Sequence, residues 1–260
     1  MQMKVTGYLA IAAIFVVCLL GAAQTARTAN ATADAAIRAA ARHNRYVFIT
    51  FYKQNDGASA RMLAAVSTMQ GKLAGRADFV NVDVNDPANR QVVTRFSADR
   101  SPIPLTIVVA PNGAVTAGFP REINANANFS NVFVSQGQAA VLKVMQERRL
   151  AVVCLQNANT RYNRECMATA NALKKDQRIG SAVTIVKIDP ADQAEAKFLR
   201  QCNIKLNSPN AQLVVFAPPG RVIGTFDGGA PQNTVIATLL QSLRGGCCSG
   251  GQCGPGGCGK

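Results

Sequence analysis

The sequence predicts an α/β protein made of two tandem units, each a mixed sheet flanked by helices, followed by a short tail. Two observations predict the units: helical and apolar segments recur in the same order, and matching turns follow the apolar runs. A third concerns the tail, residues 245–260, in which half of the residues are glycine. The chain has 260 residues and is 48% hydrophobic, which is enough to bury two small cores.

The first parts of the two units match closely. A helical stretch leads into a short apolar run in each unit, typical of a buried strand, at 46–51 and at 150–155. A second strand follows at 79–83 and at 183–188. Each second strand ends in an Asp-Pro turn, and a short helix comes next, at 90–96 and at 194–202.

The later parts match as well. The segments 101–113 and 208–220 each predict a strand that ends in a turn, with return strands at 114–119 and 221–226. The first turn is Asn112-Gly113, a strong hairpin signal because both residues tolerate positive φ. Helices at 136–148 and 231–243 close the units, and the first of these is placed to start the second unit too. Strands joined through helices pair in parallel, while the hairpin adds an antiparallel edge.

This order, with Ile103-Pro104 just before the third strand, resembles the thioredoxin fold over nearly all of 31–244. The resemblance divides the chain into thioredoxin-like domains at 31–148 and 149–244. It implies a cis peptide bond before Pro104, and it implies that the Ile103-Pro104 loop binds peptides or protein partners.

Both units depart from the family at its redox motif. The helix after the first strand begins with Gly57-Ala58-Ser59-Ala60 where the family has Cys-x-x-Cys. The second unit has Asn163-Arg164-Glu165-Cys166 there, and Ala211 stands at the proline position. Because exchange of disulfides needs a thiolate, and no cysteine occurs between Cys18 and Cys154, the first domain is predicted to be redox-inert.

Cys166 is the best candidate for a catalytic thiol in the two domains. Arg161 and Arg164 would favour its thiolate, whereas Glu165 would oppose it. The alternatives are a small buried apolar residue or one half of a local disulfide. Cys154, in a predicted central strand, and Cys202, late in a helix, are expected in the cores.

The N-terminus has the pattern of a targeting segment. Lys4 precedes an apolar run at 8–20, and small residues lead up to Ala23. This predicts a signal peptide at 1–23. The alternative is an uncleaved anchor, since residues 5–26 carry no charge and could span a bilayer. Either outcome predicts domains outside the cytoplasm, in a periplasmic, secreted or membrane-anchored protein.

The tail concentrates soft ligands. Cys247, Cys248, Cys253 and Cys258 lie within twelve residues, and four thiolates can hold Zn²⁺, Cu(I) or an iron–sulfur cluster. Disulfides, or a flexible thiol arm, are the alternatives. Removal of a signal peptide containing Cys18 would leave seven cysteines, an odd number that requires a free, metal-bound or intermolecular thiol.

Composition excludes some functions. A single histidine, His43, argues against a catalytic triad or a histidine-based metal site. The net charge is +14, but there is no Trp and no basic run with interleaved aromatics, so no nucleic-acid partner is expected. The leading hypothesis is an exported, non-catalytic binding or scaffold protein. The alternatives are an atypical thiol–disulfide oxidoreductase using Cys166 and the tail, and a metal carrier using the tail.

Overall fold

A computed structural model describes residues 33–244, which form two four-stranded sheets with helices on both faces. The first unit has strands β1 (Tyr46–Tyr52), β2 (Ala77–Asp83), β3 (Leu105–Val109) and β4 (Val115–Pro120), and helices α1 (Ala33–Arg42), α2 (Gly57–Leu73) and α3 (Arg90–Arg95). Helix α4 (Gln136–Gln146) leads into the second unit. That unit has strands β5 (Leu150–Leu155), β6 (Val183–Ile188), β7 (Gln212–Ala217) and β8 (Arg221–Asp227), and helices α5 (Asn163–Lys175), α6 (Ala196–Gln201) and α7 (Gln232–Arg244).

The two sheets have the same topology. Their strand orders are β2-β1-β3-β4 and β6-β5-β7-β8. In each, the first strand pairs in parallel with the second and antiparallel with the third, which in turn pairs antiparallel with the fourth. The predicted fold class, two mixed sheets with an antiparallel edge, is therefore confirmed.

The core of each unit lies on both faces of its sheet. Successive side chains of a strand point to opposite faces. Val47, Ile49 and Phe51 of β1 accordingly pack with α1 and α3, whereas Phe48 packs with α2. A strand covered on both sides must be apolar throughout, which is why β1 reads as an apolar run with little polar alternation.

Helix α4 packs on both units. Its Val141, Val144 and Met145 join β5, β6 and β7 in the core of the second sheet, where α4 takes the place that α1 has in the first. Ala139, on another face, packs on Ala110 and Ala114 of the first unit. Residues on either side of the boundary predicted at 148/149 thus share one core.

An irregular segment, 121–135, covers one face of the first sheet, while the predicted closing helix at 136–148 forms as α4 and packs mainly in the second core. Ile123, Phe129 and Val132 of this segment are buried against Phe48 and α2. In the second unit the corresponding face is covered by a helix, α7, through Val235 and Leu239. The segment is rich in Asn, whose side chains stabilise turns rather than helices, as the Asn128 side chain does by accepting from the Ser130 amide.

A buried carboxylate fastens the start of α4. Glu195, just before α6, is only 4% exposed. It accepts hydrogen bonds from the Gly137 amide at 2.6 Å and from the Ser135 hydroxyl at 2.5 Å. The amides at a helix start lack partners within the helix, and a carboxylate there also complements the helix dipole. This contact fixes α4 to α6 within the second core.

No helix within residues 33–244 is long and apolar enough to cross a bilayer. The predicted signal or anchor segments, 1–23 and 5–26, lie outside the described residues.

Substitution of Gly137 by Ala is expected to destabilise the protein by about 1–3 kcal/mol, because an added methyl overpacks a filled site. A Cβ there would lie 2.7 Å from both Glu195 Oε2 and Ile188 Cδ1. The matched control is Gly71→Ala in α2, where a Cβ meets nothing within 4 Å. That change should stabilise by about 0.5–1 kcal/mol through the better helix propensity of Ala. Denaturant midpoints of both variants test this; equal effects would contradict it.

Candidate functional site

The cis proline lies at one end of the first sheet, beside the start of α2. The Ile103–Pro104 bond is cis, as the sequence predicted. Phe51, at the end of β1, pairs with Leu105, at the start of β3. Since β1 runs directly into the turn before α2, the proline and the helix start meet at the end of the sheet where β1 finishes. We call this end, and its counterpart in the second unit, the edge.

Ile103 offers a free stretch of backbone at this edge. Its side chain is half-buried and packs on the first core, and Pro104 is buried. The Pro104 carbonyl accepts a hydrogen bond from Arg121, but within residues 33–244 no hydrogen bond uses the amide or carbonyl of Ile103. Ile103 is therefore held by its side chain, while its amide and carbonyl have no hydrogen-bond partner among the described residues.

Two oxygen-bearing side chains occupy the start of α2. The Asp56 carboxylate caps the helix, accepting from the Ser59 amide at 2.8 Å and from the Ser59 hydroxyl at 2.6 Å. Ser59 Oγ also accepts from the Lys53 amide. These hydrogen bonds hold the pKa of Asp56 below its usual range, since they stabilise the charged form.

The polar pair, Asp56 and Ser59, begins one residue before the Gly57–Ala60 stretch that the sequence analysis placed at the redox position. Asp followed three residues later by Ser at a helix start is a capping pattern, so the signal was present in the sequence. The pair contains no sulfur, and this helix start has no group that could exchange disulfides.

In the second unit, backbone hydrogen bonds within the chain occupy the corresponding edge. Ala211 stands at the proline position, and its amide donates to the Arg161 carbonyl at 2.8 Å. The Arg161 amide donates to the Pro209 carbonyl, and Gly228 donates to the Ala211 carbonyl. The loop before β7 is thus paired on both sides with segments of the same chain.

Side chains complete this closure. Asn210 accepts from Arg161 Nε at 3.1 Å and donates to Asp227 at 2.7 Å, and the pKa of Asp227 is lowered by hydrogen bonds from Asn210 and the Gly229 amide. The Tyr162 ring packs on Gly229, where a Cβ would lie 3.2 Å from the ring. These side-chain contacts join residues 17 to 67 positions apart, so no local pattern could have predicted them.

Cys166, the predicted catalytic candidate, lies inside the second core. It is fully buried in α5, beside the equally buried Cys154 of β5. Its thiol donates a hydrogen bond to the Cys154 sulfur, and this bond, together with burial, raises the pKa of Cys166. Cys166 therefore stays protonated at neutral pH and out of contact with solvent.

The other predicted groups are dispersed. Cys202 is half-buried at the end of α6, and burial raises its pKa. Within residues 33–244 no three His, Cys, Asp or Glu side chains come together as a metal site. The predicted metal ligands Cys247, Cys248, Cys253 and Cys258 lie outside the described residues.

The Asp56 cap should give the protein a specific pH dependence. Its folded-state pKa is lowered, so its stabilisation is complete above the unfolded pKa of about 4 and is lost as the pH falls through the lower folded value. Asp56→Asn should flatten stability against pH in that range. Ser59→Ala keeps the charge but removes the hydroxyl donor, and should leave an intermediate dependence. Denaturation curves between neutral pH and about pH 2 would show this; identical profiles for wild type and Asp56→Asn would contradict it.

Among known proteins, the chain has similarity to solved structures. No protein-family model and no curated protein matches the chain. Among solved structures the chain is similar to a thioredoxin from Fasciola hepatica, with 18% identity, 37% of this chain and 85% of that chain covered, and a TM-score of 0.30. It is also similar to zinc-bound human ERp44, with 12% identity, 80% and 58% covered, and a TM-score of 0.34.

The fold assignment rests on the chain's own geometry. Each unit repeats the strand order of the fold, with its helices on both faces of the sheet. The first unit also has the cis proline before its third strand. Residues 33–244 therefore form two tandem domains of thioredoxin-like fold, and neither contains a Cys-x-x-Cys motif.

Proposed function

We propose that this is an exported, non-catalytic binding protein whose first domain holds extended segments of protein partners at Ile103. The observation that supports this is the contrast between the two equivalent edges. The Ile103 backbone is unpaired within the described residues, whereas the matching backbone from Pro209 to Ala211 is paired with Arg161 and Gly228. One edge is open to another chain and the other is filled.

An extended segment would bind by backbone hydrogen bonds to Ile103, in the manner of an added strand. Such bonds give affinity without demanding a particular sequence. The Asp56–Ser59 pair beside this edge cannot form a mixed disulfide, so a bound partner would leave unchanged. This is the behaviour of a holding module.

The export part of the proposal is supported by the N-terminal pattern alone. Lys4, the apolar run at 8–20 and the small residues up to Ala23 are typical of a signal peptide, with an anchor at 5–26 as the alternative. N-terminal sequencing of the protein from its native cells distinguishes them.

The binding test separates the Ile103 backbone from its side chain. The probe is a reduced, alkylated and fluorescently labelled unfolded protein, whose binding is followed by anisotropy. Ile103→Pro removes the amide donor and should weaken binding at least tenfold, about 1.4 kcal/mol. Ile103→Ala keeps the amide donor. Its affinity should stay within about threefold of that of the wild type, because the backbone hydrogen bond to the partner is retained.

The control for that experiment is Asn210→Ala, at the filled edge of the second domain, which should bind like wild type. Melting temperatures must show that Ile103→Pro is folded. Equal loss in Ile103→Pro and Ile103→Ala, or no loss in either, would rule out backbone recognition at this edge.

The absence of catalysis is tested by reduction of insulin disulfides. The full chain should show no activity above background, because Cys166 is buried with a raised pKa and Asp56–Ser59 carries no thiol. Activity that disappears in Cys166→Ser would instead support the oxidoreductase alternative. Activity that persists in Cys166→Ser but disappears on removal of 245–260 would assign it to the tail.

For the tail we propose a separate role in metal binding or cross-linking. Its four cysteines and eight glycines supply soft ligands on a backbone that can wrap an ion. Truncation after Arg244 should leave the melting temperature within about 2 °C, which corresponds to less than 1 kcal/mol, and should abolish stoichiometric Zn²⁺ binding measured by elemental analysis. A large fall in melting temperature would show that the tail packs on a domain. Undiminished zinc would place the site elsewhere.

A further inference from the structure

Two thiols of the second domain lie together in its core without a role in the proposed function. Cys154 is near the end of β5, and Cys166 is the fourth residue of α5, the helix that covers this face of the sheet. Both are fully buried within one apolar cluster that also contains Val152, Leu173 and Leu213. Both are free thiols in this structure.

The two side chains lie in the same buried cluster between β5 and α5. The Cys166 thiol donates a hydrogen bond to the Cys154 sulfur, which favours the Cys154 thiolate and lowers its pKa while raising that of Cys166. Thiols bond each other weakly, and the apolar cluster offers neither of them a stronger partner. The contact thus joins the two elements through a bond of little strength.

We propose that Cys154 and Cys166 are a disulfide-forming pair that covalently links strand β5 to helix α5 when the protein folds under oxidising conditions. The oxidant is a low-molecular-weight disulfide. One cysteine, as thiolate, attacks it and releases one small thiol, leaving a mixed disulfide on the protein. The second cysteine attacks the mixed disulfide, forming the Cys154–Cys166 bond and releasing the second small thiol. The two cysteines lose two protons and two electrons, and the small disulfide gains them.

Other pairings are disfavoured by position. Cys202 packs on the opposite face of the same sheet, with Val153 and Leu155, so β5 separates it from the Cys154–Cys166 pair. The first domain, residues 31–148, has no thiol to compete. Cys18 and the tail cysteines are the remaining competitors, and each is far more distant along the chain from Cys154 and Cys166 than these two are from each other.

Burial sets when the bond can form. In the folded domain neither sulfur is reachable by an oxidant, so the reaction belongs to folding or to local opening of α5. The twelve-residue separation keeps the two thiols close even in the unfolded chain. Once closed, the same burial shields the disulfide from reductants, which makes it a structural cross-link rather than a catalytic centre.

The test uses the full chain, unfolded and reduced, then refolded in a buffer of oxidised and reduced glutathione. Free thiols are alkylated after denaturation, and the protein is digested with trypsin. Arg161 and Arg164 lie between the two cysteines, so the digest separates them into peptides 150–161 and 165–174. The expected result is a species in which these two peptides are joined, and which disappears on reduction.

Two results would overturn the proposal. One is alkylation of both Cys154 and Cys166 in a sample in which another cysteine has been oxidised, since the oxidant was then active and the pair stayed reduced. The other is either peptide joined to Cys18, to Cys202 or to the tail. Because refolding exposes both thiols to the oxidant, burial cannot explain a negative result. Failure here would leave peptide binding at Ile103 untouched, since the two sites are in different domains.

Stability gives a second readout. The oxidised protein should unfold about 10 °C higher than the reduced one, because the cross-link restricts the unfolded chain. Cys154→Ala and Cys166→Ala should each abolish this difference. Cys202→Ala, the matched control in the same domain, should keep it. A difference that survives in Cys166→Ala would come from other cysteines and would contradict the assignment.

Discussion

In each domain the first strand pairs antiparallel with the third, and this pairing determines where the candidate sites lie. Phe51 opposite Leu105, and Leu155 opposite Gln212, bring the end of one strand and the start of the other to the same sheet edge. A helix begins at that edge in both domains, and the loop before the third strand ends there. Whatever a domain binds or closes at this edge depends on a pairing made deep in the core, where strands are covered on both faces.

The fold was predictable because its signals are local. Apolar runs, Asp-Pro turns and the Asn112-Gly113 hairpin are each read within a few residues, and their repetition gave the two sheets. The closing of the first sheet by 121–135 was not predictable in this way. Ile123, Phe129 and Val132 fill that face without helical spacing, so their pattern resembles a loop until the sheet is in place.

The candidate site was predictable only in part. Pro104 could be recognised from its place before an apolar strand, and the absence of cysteine from the first domain is visible in the sequence. The state of the second edge could not be foreseen, because its closure joins Arg161 to Pro209 and Ala211 across about fifty residues. For Cys166 the sequence left a catalytic thiol and a small buried residue as alternatives. A helix start reads as exposed in sequence, and only the packing of α5 on β5 places its fourth residue in the core.

The two domains bury chemically different side chains between a helix and the sheet. Beneath the helix that follows the first strand, the first domain places Thr50 and Ser59, and the second places Cys154 and Cys166. Buried hydroxyls require partners, and they have them: Thr50 bonds Thr106 at 3.0 Å, while Ser59 bonds Asp56 and the Lys53 amide. Thiols have weak hydrogen-bonding demands, so Cys154 and Cys166 can lie in an apolar cluster with only each other. A hydroxyl pair can be stabilised only by such partners, whereas a thiol pair can also become covalent. The buried hydroxyls of the first domain are thus satisfied by hydrogen bonds, whereas the buried thiols of the second domain can be cross-linked.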